Sequence, residues 1–259
     1  MKNPLSTSHI RRRRQLREPK DPQTPIWRYM DFAKFCAMLQ YKSIFFTQME
    51  DMEDQFEGTI PAMTFEAYRK EVWGGDFVES YKAYLRKARQ YTFLSCWFEA
   101  TYESNAMWYQ YAKDQQGIAV VSRYENMKRL VDGRGFCGKV MYHDHWDLVM
   151  NLRDDKPLFL FKRQYFRQEQ EIRFVLQEFP QTLRPPEPKG PGPFPTFEPV
   201  PDSPTQAIPV EVDLNTVLEG VYVAPRAEDW FVALVRDMLK TYGVHTVVAR
   251  SIIDEEPIK

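Results

Sequence analysis

The chain of 259 residues is long enough for one large domain with an ample core or for two small ones. Its 35 basic and 36 acidic side chains nearly cancel, which removes any whole-chain argument for nucleic-acid binding, and its 43% hydrophobic content is ordinary for a globular protein. Three cysteines, Cys36, Cys96 and Cys137, are odd in number and lack Cys-x-x-Cys spacing, and no apolar run reaches the length of a membrane span, so a reducing, cytoplasmic location without a secretory leader is expected.

Residues 1–25 are polar, broken by proline, and carry Arg11, Arg12, Arg13, Arg14 and Arg17. That composition predicts a disordered basic tail, read either as a solvated segment or as a tether for nucleic acid or an anionic surface. A single folded domain is expected over residues 26–253, with 254–259 as a C-terminal tail. Ile26 to Met30 reads as a short strand. Asp31 is placed to cap a helix through Tyr41 that carries Phe32, Phe35, Cys36 and Leu39 on one face. Ser43 to Phe46 reads as a second strand. Asp76 is expected to cap a helix with Phe77, Tyr81, Leu85 and Ala88 inward, and Tyr91 to Phe98 is a strand by its aromatic and β-branched content.

The mixed pattern continues. Ser104 is placed to cap a helix bearing Met107, Trp108, Tyr111 and Ala112, with Trp108 and Tyr111 both inward. Gly117 is expected just past its end in a positive-φ conformation. Ile118 to Ser122 and Val140 to Tyr142 read as strands, residues 157–168 as a helix begun by Pro157, and Glu171 to Phe179 as a strand. Residues 180–209 hold eleven prolines and are expected to form an irregular insertion with neither helix nor sheet. Strands at Val210 to Val212 and Val221 to Ala224, a helix face of Trp230, Leu234, Val235 and Met238, and a buried run from His245 to Ala249 complete the chain. The alternation gives the α+β class: one mixed domain with a central, partly split sheet flanked by helices.

Four blocks set polar side chains beside apolar runs, as a ligand pocket requires: Trp27 to Tyr29, Glu53 to Glu57, Ser95 to Trp97 with Met107, Trp108, Tyr111 and Ala112, and Lys162 with Glu169 to Arg173. Arg28 lies between Trp27 and Tyr29. With the two aromatics turned to the core, Arg28 faces the other way, where its planar fork suits a phosphate or carboxylate. Glu169 and Glu171, two apart, share a face if one strand holds both, and Arg173 extends that face. Two such carboxylates suit general acid–base work or stabilisation of a sugar-like oxocarbenium ion. A salt-bridged, solvated strand face is the alternative. Glu50 to Glu57 holds five acids in eight residues, read as a solvated acidic loop or as a cation site without EF-hand spacing. His143 and His145, with Cys137 upstream, lack a third ligand at a zinc spacing, so no metal site is assigned. Nucleotide-fold, hydrolase and zincin motifs are absent.

Taken in order, Trp27 to Tyr29, Glu53 to Glu57, Phe93 to Trp97, Met107 to Gly117 and Lys162 to Arg173 resemble the pattern of a bacterial family of unknown function numbered twenty-nine seventy-one. The chain departs from that pattern at Glu53, Gln55 and Phe166. The Arg-rich tail and the Pro-rich insertion lie outside it. A second likeness is to the Arg, then Ser, then Glu-x-Glu order of one class of ADP-ribosyltransferases. It implies that Arg28 and Ser95 hold NAD as substrate while Glu171, with Glu169, steadies the ribosyl cation as nicotinamide leaves. Tyr29, Trp108, Tyr111 and Arg173 complete the expected binding set. The implied function is NAD-consuming chemistry, with stress response or phage defence as its setting. A ligand-sensing or protein-interaction module and a nucleic-acid-processing protein stay open as alternatives.

Overall fold

The structure, a computed structural model, describes residues 16–70, 74–112, 115–152, 156–185 and 200–254. The tail arginines 11–14 and residues 186–199 of the proline-rich stretch lie outside them. In chain order the elements are β1 (Pro25–Met30), α1 (Phe32–Tyr41), β2 (Ser43–Gln48), α2 (Ala62–Lys70), α3 (Gly74–Gln90), β3 (Thr92–Glu99), α4 (Asn105–Met107), β4 (Ile118–Arg123), α5 (Tyr124–Arg129), β5 (Gly135–Lys139), β6 (Met141–His143), α6 (Lys156–Phe159), β7 (Phe161–Arg163), β8 (Glu171–Gln177), β9 (Ala207–Glu211), α7 (Leu214–Val217), β10 (Gly220–Val223), α8 (Asp229–Thr241) and β11 (Val247–Arg250).

Nine strands form one mixed sheet. Seven lie in the order β11-β10-β4-β1-β3-β2-β9, while β8 pairs with the other edge of β3 and carries β5 beyond it. Strands β6 and β7 make a small parallel pair. Strand alternation divides the core between the two faces. On one face Met30, Phe93, Trp97 and Phe174 meet α1 and α8. On the other, Leu94 and Val175 meet α3 in one cluster, and Trp27, Tyr29, Phe98 and Trp108 form another. The central, partly split sheet flanked by helices is the expected class.

Local signals explain several elements. Asp31 caps α1, its side chain accepting from the Lys34 amide. The inward face of α3 is Phe77, Tyr81, Leu85 and Ala88, as the spacing predicts, but the helix begins at Gly74, so Asp76 lies inside it.

Other expectations need correction. Residues 157–168 are not one helix: a single turn, α6, gives way to β7 and then to a 3-10 turn at Gln164–Glu169. Gly117 has no positive φ; those glycines are Gly58, Gly133 and Gly243 among the described residues. A Cβ at Gly117 would stand 2.1 Å from the Ala112 Cβ, so close approach requires the glycine. Trp108–Ala112 is wound as a wide π turn, in which residues three apart no longer share a face. Trp108 is 4% exposed and Tyr111 39%. The inward face of α8 is Phe231, Val232, Val235 and Leu239, while Trp230 is turned to solvent. Phe231, stacked edge-on against Phe32 at 5.1 Å, sets that rotation. The run from His245 to Ala249 is not buried, because β11 is an edge strand with Val247 exposed. The proline-rich stretch ends in strand β9 despite Pro209, tolerated because β9 is the opposite edge. Within that stretch Leu183 and Val200 are buried in the cluster around α3. Residues 16–25 also belong to the fold: the Arg17 carbonyl accepts from the Lys139 amide, and Glu18 pairs with Lys128.

Candidate functional site

The site begins where the sheet divides. Strand β1 pairs with β3 at Ile26–Glu99 and Trp27–Phe98, and β2 pairs with the same edge of β3 at Thr47–Leu94 and Gln48–Phe93. Between these contacts β1 and β2 diverge across the Ser95–Trp97 stretch. Arg28, facing away from Trp27 and Tyr29 by strand alternation, reaches into the gap. Its Nη1 donates to Ser95 Oγ at 3.0 Å and its Nη2 to the Phe45 carbonyl at 3.1 Å. Trp97 Nε1 also donates to Ser95 Oγ at 3.0 Å, which fixes the hydroxyl that orients the guanidinium. A guanidinium has five N–H donors. Arg28 engages two of them with these partners, and no carboxylate among the described residues pairs with it. Burial lowers its pKa, so the charge there is held at a cost that an anionic ligand would relieve.

A second charged group lies on the opposite face of β3, where β8 runs beside it. Arg173 is fully buried. It donates Nε to Glu171 Oε1 at 2.6 Å and Nη2 to Glu171 Oε2 at 3.2 Å, gives another hydrogen bond to Glu57, and gives Nη1 to the Phe159 carbonyl at 3.0 Å. Lys162 Nζ stands 2.5 Å from Glu169, 3.4 Å from Glu57 and 3.5 Å from Glu171. Three buried carboxyls therefore face two cations. Burial raises the Glu171 carboxyl, but Arg173 first and Lys162 next outweigh it and hold its pKa at about 2. Burial raises Glu57 as well. The neighbouring Glu171 charge adds to that, and Arg173 and Lys162 do not reverse it, so Glu57 takes up a proton more readily than Glu171. Burial alone would lower Lys162, yet the carboxylates raise it, so it stays charged.

A cleft of about 560 Å³ runs through the split and joins the two charged groups. Arg28, Tyr29, Glu57, Tyr111, Glu169 and Glu171 all line it. The structure thus brings Arg28, Tyr29, Tyr111, Glu169 and Glu171 to one cleft. Ser95, Trp108 and Arg173 stand behind its surface. Ser95 orients Arg28. Trp108 meets the Tyr29 ring edge-on at 4.9 Å and donates to Glu103 at 2.7 Å. Arg173 anchors Glu171. Glu169 is not in the strand with Glu171, since β8 starts at Glu171 and Gln170 takes a left-handed φ of 37°. Lys162, the 3-10 turn and the Glu169 hydrogen bonds from Gln110 at 3.1 Å and Tyr111 at 3.2 Å bring it to the cleft instead.

The acidic stretch is the main residue set that spacing missed. It is not simply a solvated loop. Asp54 and Glu57 are 2% and 1% exposed, paired with Arg163 and with Arg173 and Lys162 respectively. The signal available was the Phe56 between them, whose apolar bulk pulls the turn inward against His145. Cys96 also lines the cleft; burial and then Glu171 raise its thiol well above its ordinary value, which disfavours the nucleophilic thiolate. Among the described residues, no three His, Cys, Asp or Glu side chains are placed to hold a metal ion, and no helix is long and apolar enough to cross a membrane.

No family model matches the chain, and no curated protein matches it. Among solved structures the chain is similar to Thermus sp. 2.9 DarT in complex with NAD+, at 11% identity and a TM-score of 0.39, over 90% of this chain and 97% of that one. It is also similar to Thermus sp. 2.9 DarT in complex with ADP-ribosylated ssDNA, at 11% identity and a TM-score of 0.36, over 91% of this chain and 97% of that one. Similarity of this degree assigns no residue role and no activity here.

Proposed function

We propose that the chain is an NAD-consuming enzyme of the ADP-ribosyl-transferring kind, with the split-sheet cleft as its site. One observation carries the reading: the cleft divides its charge. Arg28 offers a guanidinium without an acidic partner at one end, and Glu57, Glu169 and Glu171 outnumber Lys162 and Arg173 at the other. The Ser95 and Phe98 levels of β3, opposite Phe174 and Glu171, are three residues apart, or roughly 10 Å of strand. NAD carries the matching division: an anionic diphosphate, then a ribose bearing a cationic nicotinamide.

The geometry supports the following roles. Arg28, oriented by Ser95 and the Phe45 carbonyl, binds the diphosphate. Tyr29 and Tyr111 wall the cleft. The bond from ribose C1′ to the nicotinamide nitrogen breaks, and its electron pair leaves with neutral nicotinamide. Positive charge grows on the ribose. Glu171 stays ionised in a largely dry setting, where a fixed carboxylate stabilises such charge most. An acceptor hydroxyl, amine or water then bonds to C1′, and Glu169, behind Tyr111 and Gln110 at the rim, takes its proton.

A second reading rests on the grip of Arg173 on both Glu171 oxygens, which is also how a structural ion cluster holds itself together. It makes the chain a ligand-sensing module that binds the same molecule without reaction. Calorimetric titration with NAD, together with nicotinamide release, separates the two. The enzyme reading expects saturable binding, at least about tenfold weaker in Arg28→Lys, and release of nicotinamide. Binding without release favours the sensor. Absence of binding removes both.

A further inference from the structure

We infer that a second oxyanion site, for a phosphate monoester, lies behind the turn that carries Glu57, apart from the cleft. A separate cavity of about 400 Å³ is lined by Gly58, Thr59, Ile60, Lys82, Arg86 and Arg89, with Glu79 and Leu85 completing it. The cations come from α3, and the turn forms the opposite wall. The critical group is Arg89. Its Nε and Nη2 are buried, and neither has a hydrogen-bond partner among the described residues. Those two nitrogens form one edge of the guanidinium. Arg173 uses that same edge, Nε and Nη2 together, to hold both oxygens of Glu171. Arg89 lines this cavity, and its unpartnered edge is the one that grips a two-oxygen anion elsewhere in the same molecule.

Position and charge narrow the ligand. The Arg89 stem is fixed, since its Cγ lies 3.0 Å from where a Gly58 Cβ would stand, beside the Met49 sulfur. The fork is thus held by packing rather than swinging in solvent, which lowers the entropy lost on binding. Lys82 is 3.0 Å from Glu79, so that pair is neutral, leaving Arg86 and Arg89 as two net positive charges around the cavity. A phosphate monoester carries close to two negative charges near neutral pH and three acceptor oxygens. A carboxylate or a single phosphodiester would neutralise only one. Leu85 and Ile60 supply an apolar wall for the organic part of the ester. Glu57 precedes Gly58 in the same turn, so occupancy here bears directly on the loop that places Glu57 in the cleft.

The test uses the full chain and adenosine 5′-monophosphate as probe, titrated calorimetrically at constant ionic strength, with adenosine as the phosphate-free control. Arg28→Ala removes any phosphate binding at the cleft. Arg89→Lys keeps charge and most of the stem but loses the fork, and Arg86→Gln removes one charge at the exposed side. The expected result is binding by the monophosphate and not by adenosine, retained in Arg28→Ala. It should weaken by about tenfold or more in Arg89→Lys, the worth of a lost charge-assisted hydrogen bond, and less in Arg86→Gln. Thermal midpoints without probe show that each variant is folded. If Arg89→Lys is unfolded, Arg86→Gln combined with Lys82→Gln, both on the outer side of the cavity, takes its place with the same expectation. Binding abolished by Arg28→Ala and untouched at Arg89 would overturn the site. So would binding only by a single-stranded oligonucleotide without terminal phosphates, since the charge match to a monoester would then be wrong.

Discussion

The ion cluster makes a stability prediction that follows from counting its charges. Holding the Glu171 carboxyl at about 2 instead of its ordinary 4.5 corresponds to about 3 kcal/mol of native-state stabilisation. Because that pKa is depressed, the contribution is complete above the unfolded value and is lost as pH falls from 4.5 through 2. Glu57 is raised, so its contribution has the opposite sense: present below 4.5 and lost as pH rises through its folded value. Glu57→Gln, which removes the charge that Glu171 repels, should therefore leave stability at pH 7 within about 1 kcal/mol of the parent or above it. Glu171→Gln should cost between about 1 and 3 kcal/mol, because Glu57 still pairs with Arg173. The double variant leaves Arg173 buried without an acidic partner and should cost more than the two single changes together, about 3–5 kcal/mol. Urea unfolding at pH 7 on the four proteins closes the cycle. Strict additivity, or equal losses for the two single variants, would refute the charge count.

Three further outcomes are expected. Trp108→Ala should lower stability by about 3–5 kcal/mol, read as a fall in thermal midpoint, because it removes a buried indole set edge-on to Tyr29 and strips Glu103 of a hydrogen bond; an unchanged midpoint would mean the indole is not core. Gly117→Ala should cost about 1–3 kcal/mol through its clash with Ala112, and Ala112→Gly in the same chain should restore part of that; a failure of rescue would place the strain elsewhere. Cys96, though it lines the cleft, should resist iodoacetamide at pH 8 in the native protein and react once unfolded, since burial and Glu171 keep it a thiol; selective native labelling of Cys96 would contradict that electrostatic picture.

The elements with strong local signals were legible in the sequence. Asp31 announces α1, and the spacing of Phe77, Tyr81, Leu85 and Ala88 announces the face of α3. Arg28 was legible as a group turned away from its aromatic neighbours, because strand alternation decides that without tertiary information. What decides Glu57 is tertiary: a turn becomes buried because Phe56 packs on His145 and because Arg173, more than a hundred residues away, supplies its partner. Glu169 reached the cleft for a reason the i, i+2 rule does not contain, a left-handed Gln170 that lifts it off the strand and a lysine that draws it back. The face of α8 was misread for a simple reason. Trp230 is the largest apolar side chain there, yet its indole donates to Glu228 at the surface while Phe231 fills the core.

The central claim is that Glu171 steadies charge on a reacting ribose. The direct measurement is nicotinamide release at saturating NAD, comparing the parent with Glu171→Gln after denaturation midpoints have shown how much of each protein is folded and calorimetry has shown that both bind NAD. Loss of a carboxylate that acts on the transition state should reduce release by about two to three orders of magnitude while the affinity for NAD changes little. Release that persists at the parental rate in folded, NAD-bound Glu171→Gln would contradict the account and leave Glu171 as a structural partner of Arg173.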